Sequence, residues 1–160
     1  IAKYDNFEGN ADEYLKWMLT GLIPHCEKLL KVDNPRRILL GYSMSGLFSL
    51  YAMYRTDKFA AYISASGSLW YPDFDDYVMS HEPMTKSPVY LSIGDKECIS
   101  KNAYLQTTIE KTRHIFEHYK LQGHVTHFEL NPGNHFIEGD LRQAKGIKWA
   151  IAALRKESDT

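Results

Sequence analysis

An α/β fold, a parallel sheet with helices on both faces, is predicted for this chain of 160 residues by three observations. The short, continuously apolar run Ile38-Leu39-Leu40, closed by Gly41, fits a strand buried on both faces, and Ala61 to Ala65 and Pro88 to Ile93 read as further buried strands. Segments with apolar residues three and four apart alternate with these runs, as helices alternate with parallel strands. Each crossover must return to the sheet with the same hand, so helices cover both of its faces.

The elements follow in order. From Asn10 to Lys31, apolar Leu15, Met18, Leu19, Leu22, Ile23, Cys26 and Leu29 mark one helix face, with Asn10 and Glu13 as a start signal. Pro24 removes the hydrogen bond to Thr20, so a kink is expected there. Asp33-Asn34-Pro35 reads as a turn before the first strand, which Gly41 closes. Ser43 to Arg55 is a helix, and Asn102 to Lys120 another, with Leu105, Ile109, Thr112, Phe116 and Tyr119 inward. Val125 to Leu130 alternates as an edge strand with one wetter face, and a final helix from about Glu138 to Leu154 is expected to bury Leu141, Ala144, Ile147, Ile151 and Leu154. Ser66 to Ser87 reads as one long irregular stretch bearing Trp70, Tyr71, Phe74 and Tyr77. It leaves the carboxyl end of the second strand, where ligands of such sheets bind.

Composition bounds the function. With 44% hydrophobic residues the chain can build one full core, and no repeat or linker divides it, so residues 1–160 read as a single domain. Lys plus Arg number 19 and Asp plus Glu 20, with no long basic run, which excludes nucleic acid and anionic membrane as partners. No apolar stretch is long enough to span a bilayer, and the first residues lack a secretory pattern. Ile1 in place of Met reads as a processing boundary. Cys26 and Cys98 lack metal or redox spacing and suit two small buried groups in a reducing, cytoplasmic setting.

The most specific motif is Gly41-Tyr42-Ser43-Met44-Ser45-Gly46, set between a buried strand and a helix. A serine at such a sharp turn is lifted clear of the sheet, and small residues two positions before and after it, here Gly41 and Ser45, let the chain pack. Ser43 is thus the candidate nucleophile, with the Met44 N–H at the helix start as candidate oxyanion donor. A plain helix N-cap is the competing account of Ser43. A serine hydroxyl needs a base, and His135, in the turn Asn131-Pro132-Gly133-Asn134-His135-Phe136, lies on the same sheet edge. The acid that orients it is expected in Gly94-Asp95-Lys96-Glu97. Glu97 is favoured over Asp95, which follows the strand-ending glycine as a turn former would.

The segments Ala11-Asp12-Glu13-Tyr14-Leu15, Leu22-Ile23-Pro24, Arg36 to Leu47, Ser66-Gly67-Ser68-Leu69-Trp70-Tyr71, Gly94 to Glu97 and Gly133-Asn134-His135-Phe136 together resemble the putative-esterase family of α/β-hydrolases. The nearest branch is the enterochelin-esterase-like proteins that hydrolyse siderophore trilactones. The resemblance implies an α/β-hydrolase type of sheet and a serine carboxylic-ester hydrolase that forms an acyl-enzyme on siderophore or aryl esters. In it Ser43 is nucleophile, His135 general base and acid, Glu97 triad acid, and Tyr42, Trp70 and Tyr71 bind substrate. No cofactor or metal is implied, and the partner is a small-molecule ester. Family members carry further strands before the helix at 11–31, including a loop with a second oxyanion N–H. This chain lacks those N-terminal strands, so it is expected to be a C-terminal catalytic fragment or a shortened form. In the second case a homodimer or strand exchange would cover the edge at 38–41.

Other signals carry less. His114 and His118 share the outward helix face with Glu110 and Lys111, a solvated face lacking a third ligand for zinc. Asp73, Asp75 and Asp76 lack the glycine and bidentate glutamate of a calcium loop. The competing function class is a non-catalytic hydrolase remnant that binds a small ligand or a protein partner. Acyl transfer to an alcohol is a third reading.

Overall fold

The computed structural model describes residues 9–158, so the reading of Ile1 as a boundary lies outside it. The described residues divide into two compact units that meet between Pro35 and Arg36 in the sequence. In the first, α1 (Ala11–Trp17) and α2 (Ile23–Leu30) flank a π-helical turn, Met18–Leu22. Pro24 has no N–H to give Thr20, and the Ile23 N–H reaches back five residues to the Met18 carbonyl, so the expected kink takes the form of a widened turn. Asn10 is the N-cap residue but its side chain makes no capping bond. Leu15 is buried, whereas Leu22 and Leu29 of the predicted apolar face are exposed.

The second unit is a four-stranded sheet in the order β1 (Ile38–Tyr42), β2 (Ala61–Ala65), β3 (Val89–Gly94), β4 (Thr126–Asn131). Every pairing is parallel, with Leu40 opposite Ile63, Ile63 opposite Tyr90 and Leu91 opposite Phe128. The central strands β2 and β3 are buried along their whole length, the buried serines Ser64 and Ser92 included, as strands covered by helices on both faces are. Side chains alternate between faces. Ala61, Ile63 and Tyr90 meet Ala150 and Leu154 of α7 (Gly139–Ser158) on one face. On the other, α3 (Met44–Ala52) packs on β1 and β2, and α6 (Thr108–Leu121) lays Phe116 against Phe128 at 5.6 Å. The carboxyl ends of β1 and β3 and the turn after β4 thereby open on one edge.

Four expectations are corrected. The stretch 66–87 is not wholly irregular: Phe74–Ser80 forms α4, whose Phe74 is buried and whose Tyr77 ring lies 5.1 Å from that of Tyr54. The helix expected over 102–120 breaks at Thr107 into α5 (Ala103–Gln106) and α6, and His118 is half-buried instead of sharing the open face of His114. The last helix turns a different face to the sheet. Leu141, Ile147 and Ile151 are exposed, and Arg142, Gly146, Ala150 and Leu154 point in, four residues apart. Close packing explains the choice, for a Cβ on Gly146 would sit 2.6 Å from Ile63 Cγ2. Cys26 is exposed and Cys98 only half-buried, so neither is a core group. No described helix is long and apolar enough to cross a membrane.

Candidate active site

Ser43 joins β1 to α3 at φ 59°, ψ −124°, a conformation costing about 1–3 kcal/mol for a residue with a side chain. Gly41 makes the turn feasible, since a Cβ there would lie 1.8 Å from the Ser45 carbonyl oxygen. Ser45, where the strict motif has glycine, is used: its Oγ accepts the Tyr42 N–H at 2.9 Å and donates to the Tyr42 carbonyl at 2.7 Å. Ser43 occupies the N-cap position yet makes no side-chain capping bond. Its Oγ instead lies 3.1 Å from His135 Nε2.

His135 is delivered by the turn after β4. The Asp95 N–H donates to the Asn131 carbonyl at 2.8 Å, and Asp95 Oδ1 accepts the Gly133 N–H at 2.8 Å, so Asp95 fastens this turn to the end of β3. The Tyr42 hydroxyl donates to the His135 carbonyl, and the two rings are 5.2 Å apart. Glu97 is the carboxylate that reaches the imidazole, Oε2 to Nδ1 at 2.7 Å, with its side chain 5% exposed and that of His135 30%. A proton on Nδ1 shared with Glu97 leaves Nε2 free to accept the Ser43 hydroxyl.

Glu97 Oε1 is held separately. It accepts the Gly94 N–H at 2.7 Å and Arg142 Nη1 at 2.7 Å. Burial opposes ionisation of this carboxyl, but the His135 hydrogen bond, the Gly94 N–H, the His135 charge and the Ser66 hydroxyl outweigh it and hold Glu97 below the usual glutamate value. Arg142, itself only 1% exposed, also donates to Ser66 Oγ at 2.8 Å and to the carbonyls of Pro132 and Asn134 at 3.2 and 3.0 Å.

Around Ser43 the remaining candidates are placed unevenly. Met44 is the first residue of α3, where N–H groups have no carbonyl within the helix to bond. Ser68, known from sequence only as part of the segment Ser66 to Tyr71 and without a role there, comes to the site: its N–H donates to the Ser43 carbonyl at 3.0 Å and its Oγ lies 3.5 Å from Ser43 Oγ. Trp70 is half-buried and Tyr71 exposed just beyond it, while Phe74 and Tyr77 turn away into the packing of α4. Tyr42 commits its hydroxyl to the histidine turn, so only its ring remains for a ligand. Among the described residues no group of three or more His, Cys, Asp or Glu side chains could hold a metal ion. Arg142 had no sequence signal beyond an arginine on the small-residue face of a helix.

Comparison with known proteins bears on this geometry. The chain matches the family described as Putative esterase over residues 2–139. It is 28% identical over 126 residues to the Bacillus subtilis (strain 168) protein named Uncharacterized protein YbbA, covering 76% of this chain and 50% of that one. Its fold resembles the enterobactin esterase FES from Shigella flexneri, TM-score 0.72 at 19% identity, over 92% of this chain and 38% of that one. It also resembles the Enterobactin and Salmochelin Hydrolase IroE, TM-score 0.64 at 27% identity, over 85% of this chain and 55% of that one. The chain thus spans about half the length of this curated relative.

Proposed function

The chain belongs to the Putative esterase family, and on that premise we propose that Ser43, His135 and Glu97 form the catalytic triad of a serine carboxylic-ester hydrolase. The observation that carries this reading is the pair of contacts on one imidazole: Nε2 to Ser43 Oγ at 3.1 Å and Nδ1 to Glu97 Oε2 at 2.7 Å. A helix-capping serine would turn its hydroxyl to the helix N–H groups, and this one turns to a base.

Ser43 Oγ attacks the ester carbonyl carbon as His135 Nε2 takes its proton. Negative charge gathers on the carbonyl oxygen, where the Met44 N–H donates to it. The imidazolium, steadied by Glu97, then gives its proton to the departing alkoxy oxygen, and the alcohol leaves an acyl-enzyme on Ser43. A water enters, loses a proton to His135 and attacks the acyl carbon. The carboxylic acid departs as Ser43 regains its hydroxyl, so one ester and one water become one acid and one alcohol. No step requires a cofactor.

We assign substrate choice to the segment that follows Ser68. In it Trp70 is half-buried and Tyr71 exposed, aromatic surface suited to stacking on an aryl group. The enterobactin-hydrolysing relatives support siderophore or other aryl esters as the substrate class.

Intact-mass labelling with a fluorophosphonate tests the proposal. One adduct on the wild-type chain, lost in Ser43→Ala and His135→Ala proteins that remain folded by circular dichroism, is the expected result. A folded wild-type chain that takes no adduct and cleaves no activated ester would overturn it in favour of a ligand-binding remnant.

A further inference from the structure

We infer that Arg142 is a positioning residue for the proposed reaction: its guanidinium holds Glu97 and the histidine turn in the arrangement that presents Glu97 Oε2 to His135 Nδ1. The inference rests on the triad reading above. Arg142 lies on α7, and its two terminal nitrogens meet four acceptors from three places: Glu97 Oε1 after β3, Ser66 Oγ after β2, and the Pro132 and Asn134 carbonyls in the turn carrying His135. A planar guanidinium with fixed donor directions can bridge such a set, whereas an ammonium on a flexible stem cannot.

Two features make this more than packing. A carboxylate could meet an imidazole through either oxygen, and here Arg142 and the Gly94 N–H both claim Oε1, which leaves Oε2 for His135. The same guanidinium binds the carbonyl of Asn134, next to His135, so the donor and the acceptor of the Glu97–His135 contact are referenced to one rigid group. The backbone at Gly94 is shaped for it, because a Cβ there would lie 2.9 Å from Arg142 Nη2. A buried ion pair adds little stability over a well-packed apolar pair of equal volume. Geometry is what the arginine supplies.

A double-mutant cycle with a tautomer readout decides the matter. Two-bond proton–nitrogen NMR of histidine-labelled protein should place the His135 proton on Nδ1 in the wild type and move it in part to Nε2 in Arg142→Met. Fluorophosphonate labelling of Ser43 should slow by about ten- to a hundredfold in the same variant, the scale of a misplacement of about 1 Å. In a Glu97→Gln background the same change should cost less than about threefold more, because the two residues act as one unit. Arg142→Lys keeps the charge in a protein easier to fold and should still lose most of the rate. Unchanged tautomer and labelling in folded Arg142→Met or Arg142→Lys, or losses that multiply in the cycle, would overturn the inference. Failure of the triad reading is separate, since it shows as absent labelling in the wild type while the tautomer still reports on Arg142.

Discussion

The Tyr42 hydroxyl donates a hydrogen bond to the backbone carbonyl of His135, joining the residue before the strained serine to the residue that carries the imidazole. Ser43 and His135 lie on separate loops at the sheet edge, and their 3.1 Å contact depends on such ties. Tyr42→Phe keeps the ring and removes the tie. A net hydrogen bond is worth about 0.5–1.5 kcal/mol, so the melting temperature should fall by a few degrees, and loosening of the histidine turn on the same scale should lower ester hydrolysis by about two- to tenfold. Turnover kinetics on an activated ester check this. An unchanged kcat would mean that Asp95 and Arg142 alone hold the histidine turn.

Glu97 predicts a pH dependence of stability. Its carboxyl titrates below the ordinary value of 4.5 in the folded chain, despite burial, because the His135 and Gly94 contacts favour its charge. A carboxylate with a lowered folded value contributes stability that is present in full above the unfolded value and is lost as pH falls through the folded one. Removing its charge by Glu97→Gln leaves Arg142 buried without its ion partner, a loss of about 3–5 kcal/mol for pairs of this kind. That deficit should be largest near neutral pH and should close in acid, where the wild-type carboxyl is protonated too. Urea midpoints of both proteins between pH 7 and pH 3 measure it. A constant gap across that range would show that the charge of Glu97 contributes nothing.

Much of this architecture was legible because local signals agreed with the global fold. The runs at Ile38 and Ala61 are apolar, β-compatible and closed by small residues, and the structure pairs them as parallel neighbours. Ser43, His135 and Glu97, the proposed triad, are candidates because each sits where a strand of a parallel sheet ends, which is where side chains converge. Turn chemistry favours Glu97 over Asp95 as the acid, and in the structure Asp95 accepts the Gly133 N–H while Glu97 contacts His135. The inward face of α7 could not be read by hydrophobic period. Its outermost inward residue is Arg142, whose burial makes sense only beside Glu97, 45 residues away in sequence, and its closest-packed residue is Gly146, which has no side chain to register. Helix α4 was hidden for a related reason. It has only two turns, is flanked by Pro72 and Pro83, and is held by the contacts of Phe74 and Tyr77 instead of by propensity.

Ser45 separates stability from activity. Its hydroxyl serves both the N–H and the carbonyl of Tyr42, which lies on edge strand β1. Ser45→Ala keeps the turn small but strands two backbone groups that are exposed enough for water to reach. The expected loss is about 1 kcal/mol, with Ser43 labelled by fluorophosphonate within a few fold of the wild-type rate. Thermal melts beside labelling rates test both halves. A folded Ser45→Ala chain with an inert Ser43 would show that the side chain sets the serine's geometry and not only the strand end.

Gly94 is where the acid, the arginine and the histidine turn meet. A Cβ at this position would stand 2.3 Å from the Gly133 carbonyl oxygen and 2.9 and 3.0 Å from the Arg142 terminal nitrogens. The first contact is with backbone, so no side-chain rotation relieves it, and either β3 or the histidine turn must move. Overpacking of this kind costs about 1–3 kcal/mol, and displacement of His135 by about 1 Å costs about a hundredfold in rate. Gly94→Ala should therefore fold with a lowered melting temperature and lose most Ser43 labelling. Gly21→Ala is the matched control: the nearest atoms to its Cβ belong to the Trp17 side chain at 3.7 Å, and removing a helical glycine should raise stability by about 0.5–1 kcal/mol with no change in labelling. Wild-type labelling in Gly94→Ala would mean that the turn can retreat, and Arg142 shift with it, without carrying His135 away from Ser43.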